Sequence, residues 1–279
     1  RSAFFKIFEE NPDIEGIIHF AAYKSVPESV LKPLEYYHNN LESMENVLEA
    51  CKTFKINNLI FSSSCSVYGE VATLPVDEHT PIGDAFCPYA HTKQINEKMI
   101  HFFLNVNPQI KGLLLRYFNP VGNDMSGLNG ELSPDIPNNL MPILTQVGIG
   151  KMPTFTVFGT DYATRDGSCI RDYVHVLDIA NAHIKALEYL MSENNTGNFD
   201  IFNLGSGTGI SVLEMVHAFE KVTGIKLNYT IGDRRPGDIP AIYSNSTRAE
   251  KLLGWKCQYT LEDMISSAWK WELWLDENK

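Results

Sequence analysis

The chain has 279 residues, 44% of them hydrophobic and 20% charged, the proportions of an ordinary globular protein with room for one or two domains. A formal net charge of -11 without any long basic run argues against nucleic acid and anionic membrane as partners. No apolar run reaches the ~18 residues of a membrane span. There is no charged-then-apolar leader, and Cys51, Cys65, Cys87, Cys169 and Cys257 lie without CxxC or metal-like spacing. The expectation is a cytoplasmic protein with reduced thiols and no metal site.

Taken in order, Ala3, Phe4, Ile7 and Phe8 mark a helix that Asn11-Pro12 ends. The apolar run 16–21 reads as a buried strand. Leu34, Tyr37, Leu41, Met44, Val47, Leu48 and Cys51 then repeat at helical spacing. A strand over 58–64 ends in Ser62-Ser63-Ser64, and an irregular segment with Pro75, Pro81, Gly83 and Pro88 follows, long enough to suggest closure over a site. A helix over 89–105 and a strand over 112–117 complete a strand–helix–strand alternation that implies parallel neighbours and right-handed crossovers. A complete dinucleotide-binding fold opens with a strand and a glycine-rich turn. Because this chain starts at Arg1 inside a helix, a sheet short of its N-terminal strands is expected.

Beyond Pro120 the texture changes, with dense glycine, proline and asparagine up to Pro142, and we read a smaller α/β substrate domain there. Helices are expected at 139–147, 175–190, 211–223 and 261–276, and short strands at 155–158, 199–204 and 226–229. The helix at 175–190 is read as returning to the main sheet. Trp269, Trp271 and Trp274 read as packing residues. Gly205-Ser206-Gly207-Thr208-Gly209 follows a strand and precedes a helix, but its GxGxG spacing is not a dinucleotide fingerprint, and a tight turn is the preferred reading.

The chemistry centres on Pro88-Tyr89-Ala90-His91-Thr92-Lys93. Tyr89 and Lys93, four apart on a helix, share a face. A phenol titrates near ~10, and a fixed ammonium within ~4–6 Å favours the phenolate, so that Tyr89 could exchange a proton with a hydroxyl on a carbon being oxidised or reduced. Ser64, at a strand end, falls where α/β sheets present their active residues.

These residues, with Ile18-His19-Phe20-Ala21-Ala22-Tyr23-Lys24, Arg116-Tyr117-Phe118-Asn119-Pro120-Val121-Gly122, Pro137-Asn138-Asn139-Leu140-Met141-Pro142 and Arg171-Asp172-Tyr173-Val174-His175-Val176, resemble the extended short-chain dehydrogenase/reductases, and among them the UDP-glucose (UDP-galactose) 4-epimerase family. The resemblance implies a Rossmann-like doubly wound parallel sheet. It assigns 1–120, with a return near 175–190, to a partial NAD-binding domain and 121–279 mainly to a UDP-sugar domain. It also implies catalytic Ser64, Tyr89 and Lys93, and a cofactor site of Phe20, Ala21, Ala22, Tyr23, Lys24, Asn39 and Phe118 together with that trio.

On the substrate side it implies Ser64, Asn119, Asn139 and Leu140, with Thr156, Val157 and Phe158 at the uracil. Arg171 and Arg235, the latter within Asp233-Arg234-Arg235-Pro236-Gly237-Asp238, would fork the diphosphate. Asp238 would take the ribose, and Ile242 would stand beside the sugar, where an aliphatic side chain leaves N-acetylated hexoses undecided. The implied activity is C4 epimerisation through a 4-keto sugar on bound NAD. The family's dehydratases carry Thr-Asp-Glu or similar where this chain has Ser64-Cys65-Ser66. Epimerases of other UDP-sugars, decarboxylases and a non-catalytic truncated binder remain open, as does a homodimer.

Overall fold

The computed structural model describes residues 1–132, 137–192, 195, 197–235 and 238–278. Helix α1 (Ser2–Glu10) stops where the Asn11 amide caps the Ile7 carbonyl at 2.8 Å. Strand β1 (Gly16–His19) is followed by α2 (Val26–Leu31) and by α3 (Pro33–Phe54), which ends on Lys55 in the left-handed region (φ 58°). Strand β2 (Asn58–Ser64), a 3-10 turn at Cys65–Tyr68, α4 (Pro88–Val106) and β3 (Lys111–Tyr117) come next. After them lie β4 (Asn119–Val121), α5 (Leu140–Gly148), β5 (Phe155–Phe158), β6 (Ile170–His175), α6 (Val176–Met191), β7 (Phe199–Leu204), β8 (Gly209–Ser211) and α7 (Val212–Thr223). The chain closes with β9 (Tyr229–Gly232), β10 (Ala241–Ile242), α8 (Thr247–Leu253) and α9 (Leu261–Glu277).

The main sheet runs β1-β2-β3-β7, every neighbour parallel. Because successive strand residues face opposite sides, Leu59 and Phe61 meet α3 and α4 through Met44, Val47, Ile100 and Leu104, while Ile60 between them meets Ile179, Ala182 and Ala186 of α6. Helices therefore cover both faces, which is why β2 and β3 are apolar without alternation. Gly112 allows the close approach of α4 to β3, since a Cβ there would stand 2.7 Å from Leu104 Cδ1. Register sets Ser64 opposite Tyr117, so both residues end at the same sheet edge.

A second core joins Met141 and Leu144 of α5, Phe155 and Val157 of β5, Met215 and Phe219 of α7, and Met264, Ile265 and Ala268 of α9. Two small sheets accompany it, β10-β6-β4 with β8 antiparallel on β6, and the pair β5-β9.

Three sequence expectations shift. The short strand 199–204 lies in the main sheet beside β3, because its apolar residues complete a face shared with α6 and α8, a pairing with no local signature. The strand expected at 226–229 starts at Tyr229, opposite Phe155. Lys226 and the Leu227 amide are instead held by Glu220 of α7, at 2.6 and 3.0 Å. The segment between Tyr68 and Pro88 does not line the cleft described below. It is pinned by Gln94, whose amide donates to the Val67 and Gly83 carbonyls at 2.9 Å each, and by Val76, which bonds Tyr243 and Asn245 beside β10.

Candidate active site

Ser64 reaches the sheet edge because β2 ends there, and its hydroxyl accepts from the Ser66 amide at 3.2 Å, starting the 3-10 turn. Tyr89 is presented by the first turn of α4, where Pro88 sets the helical φ and the Cys87 sulfur accepts from the Ala90 amide. One turn on, Lys93 is buried, and its Nζ donates to the Ser62 carbonyl at 2.5 Å and lies 4.7 Å from the Phe61 ring centroid and 5.9 Å from that of Tyr89.

Burial adds an influence that helical spacing does not show. Burial pushes the Tyr89 phenol up to about 12, against the Ser64 hydroxyl, which favours the phenolate. Burial also brings the Lys93 ammonium down to about 8, with Glu97 working the other way. Lys93 spends its hydrogen bond on β2, and at the phenol desolvation is the largest influence.

Around this trio opens a cleft of about 950 Å³. Phe20, Ala22, Lys24, Ser64, Tyr89, Lys93, Phe118, Asn119, Asn139, Leu140, Arg171, Arg235 and Asp238 all border it. Ala21, Tyr23, Asn39, Thr156, Val157, Phe158 and Ile242 are not among its lining residues. Tyr23 is tied through its backbone to Asn40, and the Asn39 amide donates to the same Asn40 side chain at 3.0 Å. Phe158 sits at the rim, with the Arg235 guanidinium 5.5 Å over its ring. Ile242 is buried behind the wall with Phe118, Tyr68 and Val76.

Arg235 forms a two-pronged pair with Asp238, at 2.8 and 3.2 Å, and Arg171 approaches the same carboxylate at 3.8 Å. Pro236 and Gly237, part of the motif read around Arg235, lie outside the described residues. Asn119 carries a buried amide oxygen with no hydrogen-bond partner among the described residues, an acceptor suited to a ligand. With the apolar Phe20, Ala22 and Phe118, the cation Lys24 and the hydroxyl–amine trio, this wall fits a nicotinamide nucleotide beside a hydroxylated substrate.

Sequence reasoning missed Tyr117, which borders the cleft and whose hydroxyl is hydrogen-bonded to His183. Its place at the end of β3, level with Ser64, was the available signal. Also missed were Lys151 and Glu272, paired across 121 residues, for which no local pattern exists. Trp271 both stacks on Trp274 (5.2 Å) and borders the cleft, donating to the Glu131 carbonyl at 2.9 Å. The GxGxG turn grips a buried carboxylate: the Ser206 and Gly207 amides donate to Asp172 at 2.8 and 3.1 Å.

The comparisons with known proteins agree with this geometry. The family model described as GDP-mannose 4,6 dehydratase matches residues 1–268. The UDP-glucose 4-epimerase of Bacillus subtilis (strain 168) is 46% identical over 272 residues, 98% of this chain and 79% of that protein. That of Caenorhabditis elegans is 44% identical over 268 residues, 96% of this chain and 76% of that one. Among solved structures, UDP-glucose 4-epimerase from Bifidobacterium longum in complex with NAD+ and UDP superposes with a TM-score of 0.94 at 41% identity, covering 100% of this chain and 82% of that one. The enzyme from Stenotrophomonas maltophila, with bound NAD and formylated UDP-arabinopyranose, gives 0.95 at 39% identity with the same coverage. With a parallel α/β sheet, a Ser–Tyr–Lys trio at its edge and identities of this size over nearly its whole length, the chain belongs to the UDP-glucose 4-epimerase family.

Proposed function

We propose that the protein interconverts UDP-glucose and UDP-galactose by inverting C4 of the hexose through a transient 4-keto sugar, with NAD as its cofactor. The observation that carries this reading is the meeting, in one cleft, of Ser64, Tyr89 and Lys93 with the two guanidinium groups of Arg171 and Arg235. Proton-transfer chemistry beside a clamp for a diphosphate suits a substrate that bears both a reactive hydroxyl and a pyrophosphate.

When bound, NAD⁺ would supply hydride-accepting and hydride-donating chemistry at C4 and a positive charge beside the phenol. Tyr89, ionised beside that charge and the Lys93 ammonium, takes the C4 hydroxyl proton as that carbon is oxidised and returns it as the ketone is reduced. Ser64 donates to the same oxygen, and Lys93 holds positive charge under the ring. Arg171 and Arg235 keep the diphosphate fixed while the keto sugar turns. Asn119, Asn139 and Leu140 border the sugar, Asp238 accepts from the ribose, and Thr156, Val157 and Phe158 take the uracil at the rim. Ile242 acts from behind Phe118. Phe20, Ala21, Ala22, Tyr23, Lys24, Asn39 and Phe118 form the dinucleotide side. Residues 1–120, with α6 and β7, serve the cofactor in this reading, and most of 121–279 serves the sugar.

The test is conversion of UDP-galactose to UDP-glucose by the purified protein with NAD present. Conversion that disappears in Tyr89→Phe, with UDP binding retained, is the expected result; a protein that binds UDP but converts neither sugar refutes the enzymatic reading and leaves a binding one. A cytoplasmic site of action is part of the proposal, supported by five free cysteines. So is a homodimer, supported by the exposed apolar Leu34 of α3 and Phe102 and Val106 of α4. Sedimentation as a monomer at micromolar concentration would refute it.

A further inference from the structure

Behind the cleft lies a buried charge cluster that the proposed chemistry does not use. Tyr89, Lys93 and Glu97 stand at i, i+4 and i+8 on α4 and so share one face. Glu97 does not border the cleft and is 5% exposed. Both its oxygens are occupied. Oε1 accepts from Ser63 Oγ at 2.5 Å and from Arg116 Nε at 2.9 Å, and Oε2 accepts from Arg116 Nη2 at 2.7 Å.

Arg116, on β3 and 2% exposed, uses its remaining arm to donate to the Tyr68 hydroxyl at 3.0 Å, and Tyr68 donates to Asn203 of β7 at 2.6 Å. One carboxylate thus ties the helix that carries Tyr89 and Lys93 to the strand that carries Ser64, through the residue between Ser64 and Ser62, whose carbonyl receives Lys93. It also ties that helix to β3 and onward to β7.

We propose that Glu97 is a positioning residue for the active site: it fixes α4 against Ser62–Ser64 and cancels the Arg116 charge, leaving the Lys93 ammonium as the net positive charge beneath Tyr89. The groups facing Lys93 are His19 from β1, Tyr89 and Glu97 from α4, and the Ser62 carbonyl and Phe61 ring from β2; Arg116 and Tyr117 stand on the neighbouring β3. Of these, Glu97 is the carboxylate. With Glu97 neutral, two buried cations remain without a counter-ion, and Lys93, the one able to lose its proton, responds. Removing Arg116 together with Glu97 restores the charge balance but not the tie between helix and strand, so the two roles separate experimentally.

The inference rests on the epimerase reading for its catalytic meaning, and its test is chosen to fail independently. The protonation of Lys93 is followed by NMR of isotope-labelled lysine side chains, assigned with Lys93→Met, while epimerisation and UDP binding are measured alongside. In Glu97→Gln the Lys93 midpoint is expected to fall by about one pH unit with UDP affinity unchanged. In Glu97→Gln/Arg116→Met the midpoint returns toward its starting value while turnover stays about tenfold or more below native.

An unmoved midpoint in Glu97→Gln, or native turnover in the double variant, overturns the proposal. If the single variant fails to fold, the charge-neutral double variant decides through its turnover. If the midpoint moves as expected but the native protein does not epimerise, the epimerase reading fails and the charge role of Glu97 stands.

Discussion

The Lys93 ammonium lies 5.9 Å from the centroid of the Tyr89 ring and gives its hydrogen bond to the Ser62 carbonyl, so the two residues communicate through space and not through a shared proton. Burial holds the phenol up at about 12 and the ammonium down at about 8. Lys93 is charged below about 8 and neutral above it, so the positive charge that favours ionising the phenol is lost as pH rises through that value. The expected profile of kcat/KM falls on the alkaline side from near pH 8, and Lys93→Met removes that limb along with most of the activity. Tyr89→Phe, which deletes the proton carrier, is expected to lower kcat by about 10²–10⁴-fold. A native alkaline limb in Lys93→Met would show that another group titrates there.

Arg171 and Arg235 differ in what else they hold. Arg235 is more exposed and, among the described residues, pairs with Asp238 beside its contact on the Phe158 ring. Arg171 also donates to the Ile170 and Ile239 carbonyls at 2.9 Å each, joining β6 to the segment before β10. Arg235→Ala is therefore expected to weaken UDP binding by about ten- to a hundred-fold with an unchanged melting temperature, the loss of one charge-assisted fork. Arg171→Ala is expected to weaken binding to a similar degree and to lower the melting temperature as well. Calorimetric titration with UDP and thermal melts of both variants check the contrast; equal melting temperatures would contradict the structural share assigned to Arg171.

The residues that could be found without coordinates are those whose signal is local. That Tyr89 and Lys93 share a face follows from the helical period, the position of Ser64 from a strand end, and the apolar texture of β2 and β3 from burial on both faces, while the roles proposed for the trio come from the family resemblance. What escaped depends on chain brought together from far apart. Strand β7 joins the main sheet through a pairing with β3 over more than 80 residues, and Lys151 meets Glu272 only because α9 packs beside α5. The phenol's surroundings escaped for a related reason: periodicity says which side chains share a face, but desolvation, which raises Tyr89, depends on everything packed around them. The family match supplied Thr156–Phe158 and Ile242, whose contact with the cleft the lining residues do not include.

The turn at Gly205 and the carboxylate of Asp172 form a dense polar knot outside the catalytic wall. Asp172 is fully buried and accepts from the Ser206 amide and hydroxyl at 2.8 and 2.5 Å, the Gly207 amide at 3.1 Å, and the Ser244 amide and hydroxyl at 2.9 and 2.7 Å. Asp172→Asn turns two N–H donors toward a nest of donors and is expected to cost on the order of 2–4 kcal/mol. Gly205→Ala meets the same knot sterically, because its Cβ would stand 2.4 Å from Asp172 Oδ2 and from Ser244 Oγ, and about 1–3 kcal/mol of overpacking is expected. Urea midpoints of both variants test this; a native midpoint in Gly205→Ala would mean that the turn yields easily.

His19 gives the protein an acid limit. At the end of β1 it is 6% exposed, lies against the Phe61 ring with centroids 6.0 Å apart, and is brought down from 6.5 to about 4, first by burial and then by the positive charge of Lys93. As pH falls below 6.5 the unfolded chain takes up the proton while the folded protein resists it. Stability held in full above 6.5 is thus lost progressively down to about 4, by roughly 3 kcal/mol in all. His175 and His183 are also lowered by burial and add to the same slope, so the decisive quantity is a difference between proteins. His19→Phe keeps an aromatic ring against Phe61 and removes the titration. The loss of unfolding free energy between pH 7 and pH 4.5, read from urea midpoints, is expected to be smaller in the variant than in the native protein. Parallel curves for the two would place the acid sensitivity elsewhere.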